Sequence, residues 1–148
     1  MKKFKFRLAA VQMQRQIVLD QKIAAKARLV AERDALIAER MQVEAMYHAA
    51  LTGTPKAGET LDPFVENTRH LRLYALREEI ELIQEKIDSY VPRIEAAQLE
   101  VQEAHRGLRA MELLEEKDKA AWALEYRRNQ QKETDELSVL RFGRGFLK

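Results

Sequence analysis

Twelve apolar positions between residues 73 and 111 constrain this chain more than any other feature. Leu73, Leu76, Ile80, Ile83, Ile87, Tyr90, Ile94, Ala97, Val101, Ala104, Leu108 and Met111 follow one another at alternating spacings of three and four. On an α-helix that spacing holds every member on one narrow stripe, the a and d positions of a heptad. A stripe so long is buried only by a second helix laid along it. A strand would alternate every second residue and could not use this pattern.

The first part of the chain can supply that second helix. Leu8, Val11, Val18, Ala25, Leu29, Leu36, Val43 and Tyr47 share a broad apolar stripe, and Ala24, Ala27, Ala31 and Ala38 would let a neighbour come close. Arg15, Lys22 and Glu32 interrupt the best heptad, so a wide amphipathic face is expected instead of a strict seam. Between the two helical stretches lies TGTPKAGETLDP, Thr52 to Pro63, where Gly53, Pro55, Gly58 and Pro63 break any helix. Asp62 before Pro63 reads as an N-cap followed by a first helical residue. The expected fold is all-α: two long helices in an antiparallel coiled-coil hairpin forming a single domain, the C-terminal helix the longer. Helix one should cover about 6–51, the loop 52–62 and helix two about 63–141, stopped by Gly143 and Gly145.

A loop this short makes the helices antiparallel neighbours. Pairing residue 51 with residue 63 gives facing positions that total about 114, which puts Met111 opposite residue 3 and ends the seam where helix one ends. About 30 residues of helix two, roughly 45 Å at 1.5 Å per residue, then overhang without a partner in the chain. That overhang holds EYRRNQQKETDELSVLRF, Glu125 to Phe142, in which Tyr126 is the only large apolar side chain before Leu137. A solitary helix is marginal in water, and spacings such as Lys132 to Glu136 add only about 0.2–0.5 kcal/mol each. The overhang is either a frayed tail or a helix built to enter something else. Pro92, at an outward position, and Gly107 are candidate hinges, with tolerated surface positions the plainer reading.

The formal net charge of +2 conceals a pattern. Residues 1–50 carry 10 basic and 5 acidic groups, residues 51–116 carry 8 and 14, and residues 117–148 carry 8 and 5. Ends that lie near each other would make one basic region able to dock on an acidic surface, against the plainer reading of unevenly charged solvated faces. The chain has no cysteine, which excludes disulfides and thiolate metal sites. No apolar run approaches a membrane span, and the basic opening MKKFKFRLAAVQMQ is unlike a signal peptide because Gln12, Gln14 and Arg15 break its apolar stretch.

No catalytic constellation is legible, so no enzyme activity and no cofactor are expected. Gly-rich phosphate loops and nucleophile motifs are missing, and His48, His70 and His105 lie far apart in sequence. The adjacent carboxylates Glu78–Glu79 and Glu115–Glu116 point in different directions on a helix and read as solvated faces. Arg127–Arg128 is flanked by Glu125, Glu133 and Asp135–Glu136, unlike the dense basic block of a nucleic-acid-binding zipper. Trp122 and Tyr126 share a helix face, either packing on Phe4 and Phe6 or forming an exposed patch for a partner.

Both ends resemble one family. The opening KFKFRLAAV, through Lys5, Phe6, Arg7, Leu8 and Val11, is similar to that of the FliJ family of flagellar type III export. The closing segment is similar at Glu116, Lys117, Glu125, Tyr126, Arg127, Arg128, Lys132, Glu133, Asp135, Glu136, Leu137, Arg141 and Phe142. The middle matches mainly as generic coiled coil, and the Gly/Pro-containing loop departs from the pattern. The resemblance implies a cytoplasmic stalk at the flagellar base that binds the hexameric export ATPase ring, promotes its activity and links it to the cytoplasmic domain of the export-gate membrane protein. It also implies contact with export chaperones. Ring binding would fall to Phe6, Arg7, Leu8, Tyr126, Arg127, Arg128, Lys132, Asp135, Glu136, Arg141 and Phe142, and gate binding to Phe64, Leu71 and Tyr74. No nucleic acid and no membrane insertion are expected. The alternatives are an escort or recycling chaperone for export substrates, an injectisome stalk homologue, and a homodimeric structural coiled coil.

Overall fold

The computed structural model describes residues 3–53, 58, 60 and 62–146, and side chains as far as residue 144. It contains two helices, α1 (Ala9–Thr52) and α2 (Pro63–Phe146), which form a helical hairpin with the second helix the longer. Both start as their local chemistry requires. At α2 the Asp62 carboxylate accepts the Phe64 N–H at 3.0 Å, with Pro63 in the first helical position. The backbone of α1 closes its first full turn at Gln12 N–H to Leu8 carbonyl, 2.9 Å, so it begins at Ala9 and not near residue 6 as expected.

The ends differ more from the sequence reading. Gly58 has the left-handed φ of 98° that a tight turn needs. Pro55, counted above as a breaker, lies outside the described residues. Gly143 and Gly145 do not stop α2, which continues to Phe146. Gly143 does not have the positive φ of a C-terminal cap. A glycine in a helix costs about 1 kcal/mol but keeps its N–H, so it weakens a helix without ending it. Pro92 also lies within α2, at an exposed position, as its outward place in the heptad predicted.

The chain divides into two compact units, and both helices contribute to each. One is Gln21–Gln102, which holds the turn. Its core is Val43, Leu76, Ile83 and Ile87, with Leu36, Ile37, Tyr47, Ala50 and Ile80 packed around them. Each fully buried side chain of this kind contributes about 1.5–3 kcal/mol. Polar contacts also cross between the helices in this unit: Lys22 Nζ to Glu100 at 3.3 Å, Lys26 to Gln98, Arg40 to Gln84, and the Tyr90 hydroxyl to Glu32 at 3.0 Å. α1 has no basic residue in its last turn, and α2 makes good the deficit. Arg69 donates to the carbonyls of Ala50, 3.3 Å, and Leu51, 3.2 Å, at the helix end where a cation is favoured.

The other unit is Met1–Asp20 with Glu103–Lys148. It buries Leu19 and Leu108, and polar contacts also tie its segments together. Gln12 donates to Glu115 at 2.9 Å, Arg15 donates to the Gly107 carbonyl at 2.9 Å, and Arg7 lies 3.5 Å from Asp118. Gly107 is therefore half-buried against Arg15 and not a plain surface position. A Cβ there would stand 3.3 Å from Arg15 Nη1, so the missing side chain makes room for the arginine.

These contacts correct the expected pairing. Residue 15 faces 107, residue 22 faces 100 and residue 40 faces 84. Those pairs total 122 to 124 where the loop length gave about 114. The first turns of α2 run past the end of α1 before Arg69 reaches it, which shifts every later pair.

They also correct the description of α1. Gln12, Arg15, Leu19, Lys22, Lys26, Leu29, Arg33, Leu36, Arg40, Val43, Tyr47 and Ala50 are all buried or half-buried and alternate by three and four. An unbroken heptad does run through α1, and Arg15 and Lys22 belong to it. Val18 and Ala25 are exposed, as are Ala24, Ala27, Ala31 and Ala38. Long cationic side chains occupy seam positions by burying their stems while the charge reaches an acceptor. Every apolar seam position expected in α2 is buried or half-buried, and the register continues inward-facing at Glu115, Asp118 and Trp122. Glu115 is thus a seam residue and not part of a solvated face.

Candidate docking surfaces

The terminal unit gathers both basic ends: it carries 15 basic against 10 acidic groups, +5, while the turn unit carries 11 against 14, −3. Residues Lys3 to Leu8 alternate between exposed and half-buried, with Phe4, Phe6 and Leu8 turned inward and Lys3, Lys5 and Arg7 outward. This alternation precedes the helix: residues 3–6 are outside any helix, and Arg7 and Leu8 form a turn closed by the Ala9 N–H on the Phe6 carbonyl at 3.2 Å. Phe4 packs on Trp122 with ring centres 6.1 Å apart, and Trp122 stacks on Tyr126 at 5.4 Å. Of the two readings of this aromatic pair, packing on the N-terminal segment is therefore realised, through Phe4. Arg7 is 72% exposed in its ion pair with Asp118, so that pair contributes about 0–1 kcal/mol at most.

Past Tyr126 the picture changes. Every residue from 127 to 142 is exposed, although α2 continues to Phe146. This arm is about 30 Å long at 1.5 Å per residue. It is shorter than the overhang expected from the loop, because Glu115, Asp118, Trp122 and Tyr126 are engaged within the unit. Among the described residues Lys132 and Glu136 form no ion pair; Gln130 donates to the Tyr126 hydroxyl at 2.9 Å, and Thr134 to the Gln130 carbonyl. At about 100° per residue, Arg128, Lys132, Asp135, Glu136 and Phe142 fall on one arc of roughly 120°. Val139 lies at its centre. Arg127 and Arg141 share a neighbouring face. The structure thus divides the residues expected for ring binding. Arg7 contacts Asp118, and Phe6 and Leu8 are half-buried beside α2, near the root of the arm and not along it.

Sequence reasoning passed over part of this surface. Val139 is 69% exposed, and Leu137 and Leu140 are also exposed. Aliphatic side chains outside the engaged heptad were the available signal. In the turn unit, Phe64, Leu71 and Tyr74 are all exposed, at 78%, 63% and 65%. They lie on one side of α2, and exposed Leu82, five turns after Phe64, extends the same face. Among the described residues, no group of histidine and carboxylate side chains could hold a metal ion, and no helix is long and apolar enough to cross a membrane.

A two-helix hairpin that leaves one helix bare for its last turns is a helical interaction protein, whose working surfaces are helix faces. The chain belongs to the flagellar FliJ protein family, whose model matches residues 7–145. It is accordingly a coiled-coil protein associated with flagellar export. No curated protein matches it, and no solved structure does.

Proposed function

We propose that the chain is a non-catalytic cytoplasmic stalk of the flagellar export apparatus, whose arm enters the hexameric export ATPase ring and promotes hydrolysis. The observation that carries this reading is the arm itself: a continuous helix exposed on all sides from residue 127 to 142. A helix is ordinarily held by burying a face, and a ring lumen would bury this one from every direction. Arg127, Arg128, Lys132 and Arg141 supply cations for acidic groups of the ring wall, Asp135 and Glu136 accept from donors there, and Val139 with Phe142 gives the arc an apolar anchor. Tyr126 sits at the root. Coupling to hydrolysis follows if the arm binds one ring state better than another, because only differential affinity moves an equilibrium. The exposed face of Phe64, Leu71 and Tyr74 is the surface we assign to the cytoplasmic domain of the export gate, which makes the chain a link between ring and gate.

The test is hydrolysis by the purified export ATPase with the wild-type chain and with the Arg128→Glu, Lys132→Glu double variant. Reversing two charges on one face should weaken ring binding about tenfold, roughly 1.4 kcal/mol, and reduce stimulation at subsaturating concentration. Equal stimulation by a folded double variant would refute this assignment.

A further inference from the structure

We propose that Lys3–Leu8 is a releasable strap on Trp122, the ring that stacks on Tyr126, and that its displacement completes the surface the arm presents to the ring. The proposal rests on the ring reading for its occupant, while the strap's release is a property of the free chain.

The strap's attachment is slight. It precedes α1; the Phe6 and Leu8 carbonyls accept the Ala9 and Gln12 N–H groups at 3.2 and 2.9 Å, and ahead of Phe6 side chains hold it. Phe4 meets Trp122 at 6.1 Å and Arg7 meets Asp118 at 3.5 Å. The second contact is largely in water, where salt screens it. Asp118 lies between Lys117 and Lys119, both exposed. Lys3 and Lys5, also exposed, add two more cations to the strap. One carboxylate, Asp118, thus holds Arg7, and an acidic partner surface would compete for it directly.

What the strap covers lies at the root of the arm. Tyr126 stacks on Trp122 and accepts a hydrogen bond from Gln130 in the arm's first exposed turn. Removing the strap would leave two stacked aromatic rings continuous with the exposed helix. Flat aromatic surface beside cations is what a partner interface uses as an anchor. A ring that engages the arm would displace the strap and take its place on the rings, which sets a threshold on insertion.

Trp122 is the only tryptophan in the chain, so the full-length protein reports on its own strap. Acrylamide quenching of Trp122 should rise about twofold in Phe4→Ala and in Arg7→Glu, with a red-shifted emission and unchanged helicity, as local opening requires. The charge-swapped pair Arg7→Asp, Asp118→Arg should return to wild-type quenching. Raising salt from about 0.05 to 0.5 M should move the wild type toward the variants. Unchanged quenching in both single variants would overturn the strap. With the export ATPase ring, Phe4→Ala should bind about threefold tighter than wild type, because less of the population must open first. Weaker binding would overturn the cover and make the strap a ring contact instead. If no form of the chain binds the ring, the ring reading fails and quenching alone decides whether the strap opens.

Discussion

Truncation after Tyr126 separates the arm from the rest of the chain. It removes residues 127–148 and leaves the engaged positions Glu115, Asp118, Trp122 and Tyr126 in place. A cut after Met111 would remove all four and disturb the terminal unit as well. Of the 128 helical residues, 44 in α1 and 84 in α2, the arm accounts for the 20 from 127 to 146. Far-UV circular dichroism should therefore lose about one sixth of its helical signal. The thermal midpoint should hardly move. Every side chain removed between 127 and 142 is exposed, and changes at exposed positions stay within about 0.5 kcal/mol. At about 2–4 °C per kcal/mol for a domain of this size, that is a shift of about 1–2 °C. Stimulation of the export ATPase should be lost. A midpoint lowered by about 5 °C or more would refute the reasoning, since it would mean that the arm packs on something in the free protein.

Two further outcomes follow from the seams. Ile83, 3% exposed at the centre of the core cluster, should cost about 2–4 kcal/mol when changed to alanine, since the transfer loss is joined by a cavity term; urea unfolding measures it. The Gln12→Leu, Glu115→Leu double variant replaces a half-buried polar pair with two apolar seam residues and should raise stability by about 1–2 kcal/mol, because the pair's hydrogen bond offsets little more than its own desolvation; a lowered denaturation midpoint would contradict that account.

The apolar half of this fold was legible from residue order. The α2 seam from Leu73 to Met111 is buried or half-buried throughout, because a 3.5-residue repeat of aliphatic side chains leaves a helix one way to be covered. The start of α2 at Asp62 and Pro63 was legible for a local reason, since capping is decided by a few adjacent residues. The seam of α1 was not. Arg15, Lys22, Arg33 and Arg40 sit in it, and their type says surface until an acceptor is seen across from them. Arg15 finds the Gly107 carbonyl, Lys22 finds Glu100 and Arg40 finds Gln84; those partners are 44 to 92 residues away and no local pattern names them.

The candidate surfaces divide in the same way. Phe64, Leu71 and Tyr74 lie outside the heptad, and their exposure follows from the periodicity. The length of the arm did not follow, because it depends on which residues of the two helices face each other. Counting from the loop placed the end of pairing near Met111. Arg69 on the last carbonyls of α1 shifts that register, and Phe4 on Trp122 carries the engagement to the root of the arm. Sequence alone determined that there are two helices, that they form a hairpin and that the second outlasts the first, since these depend on periodicity and on chain breaks. Tertiary structure decided the register, the polar half of the interface and the point where the arm begins, since these depend on contacts between side chains far apart in the chain.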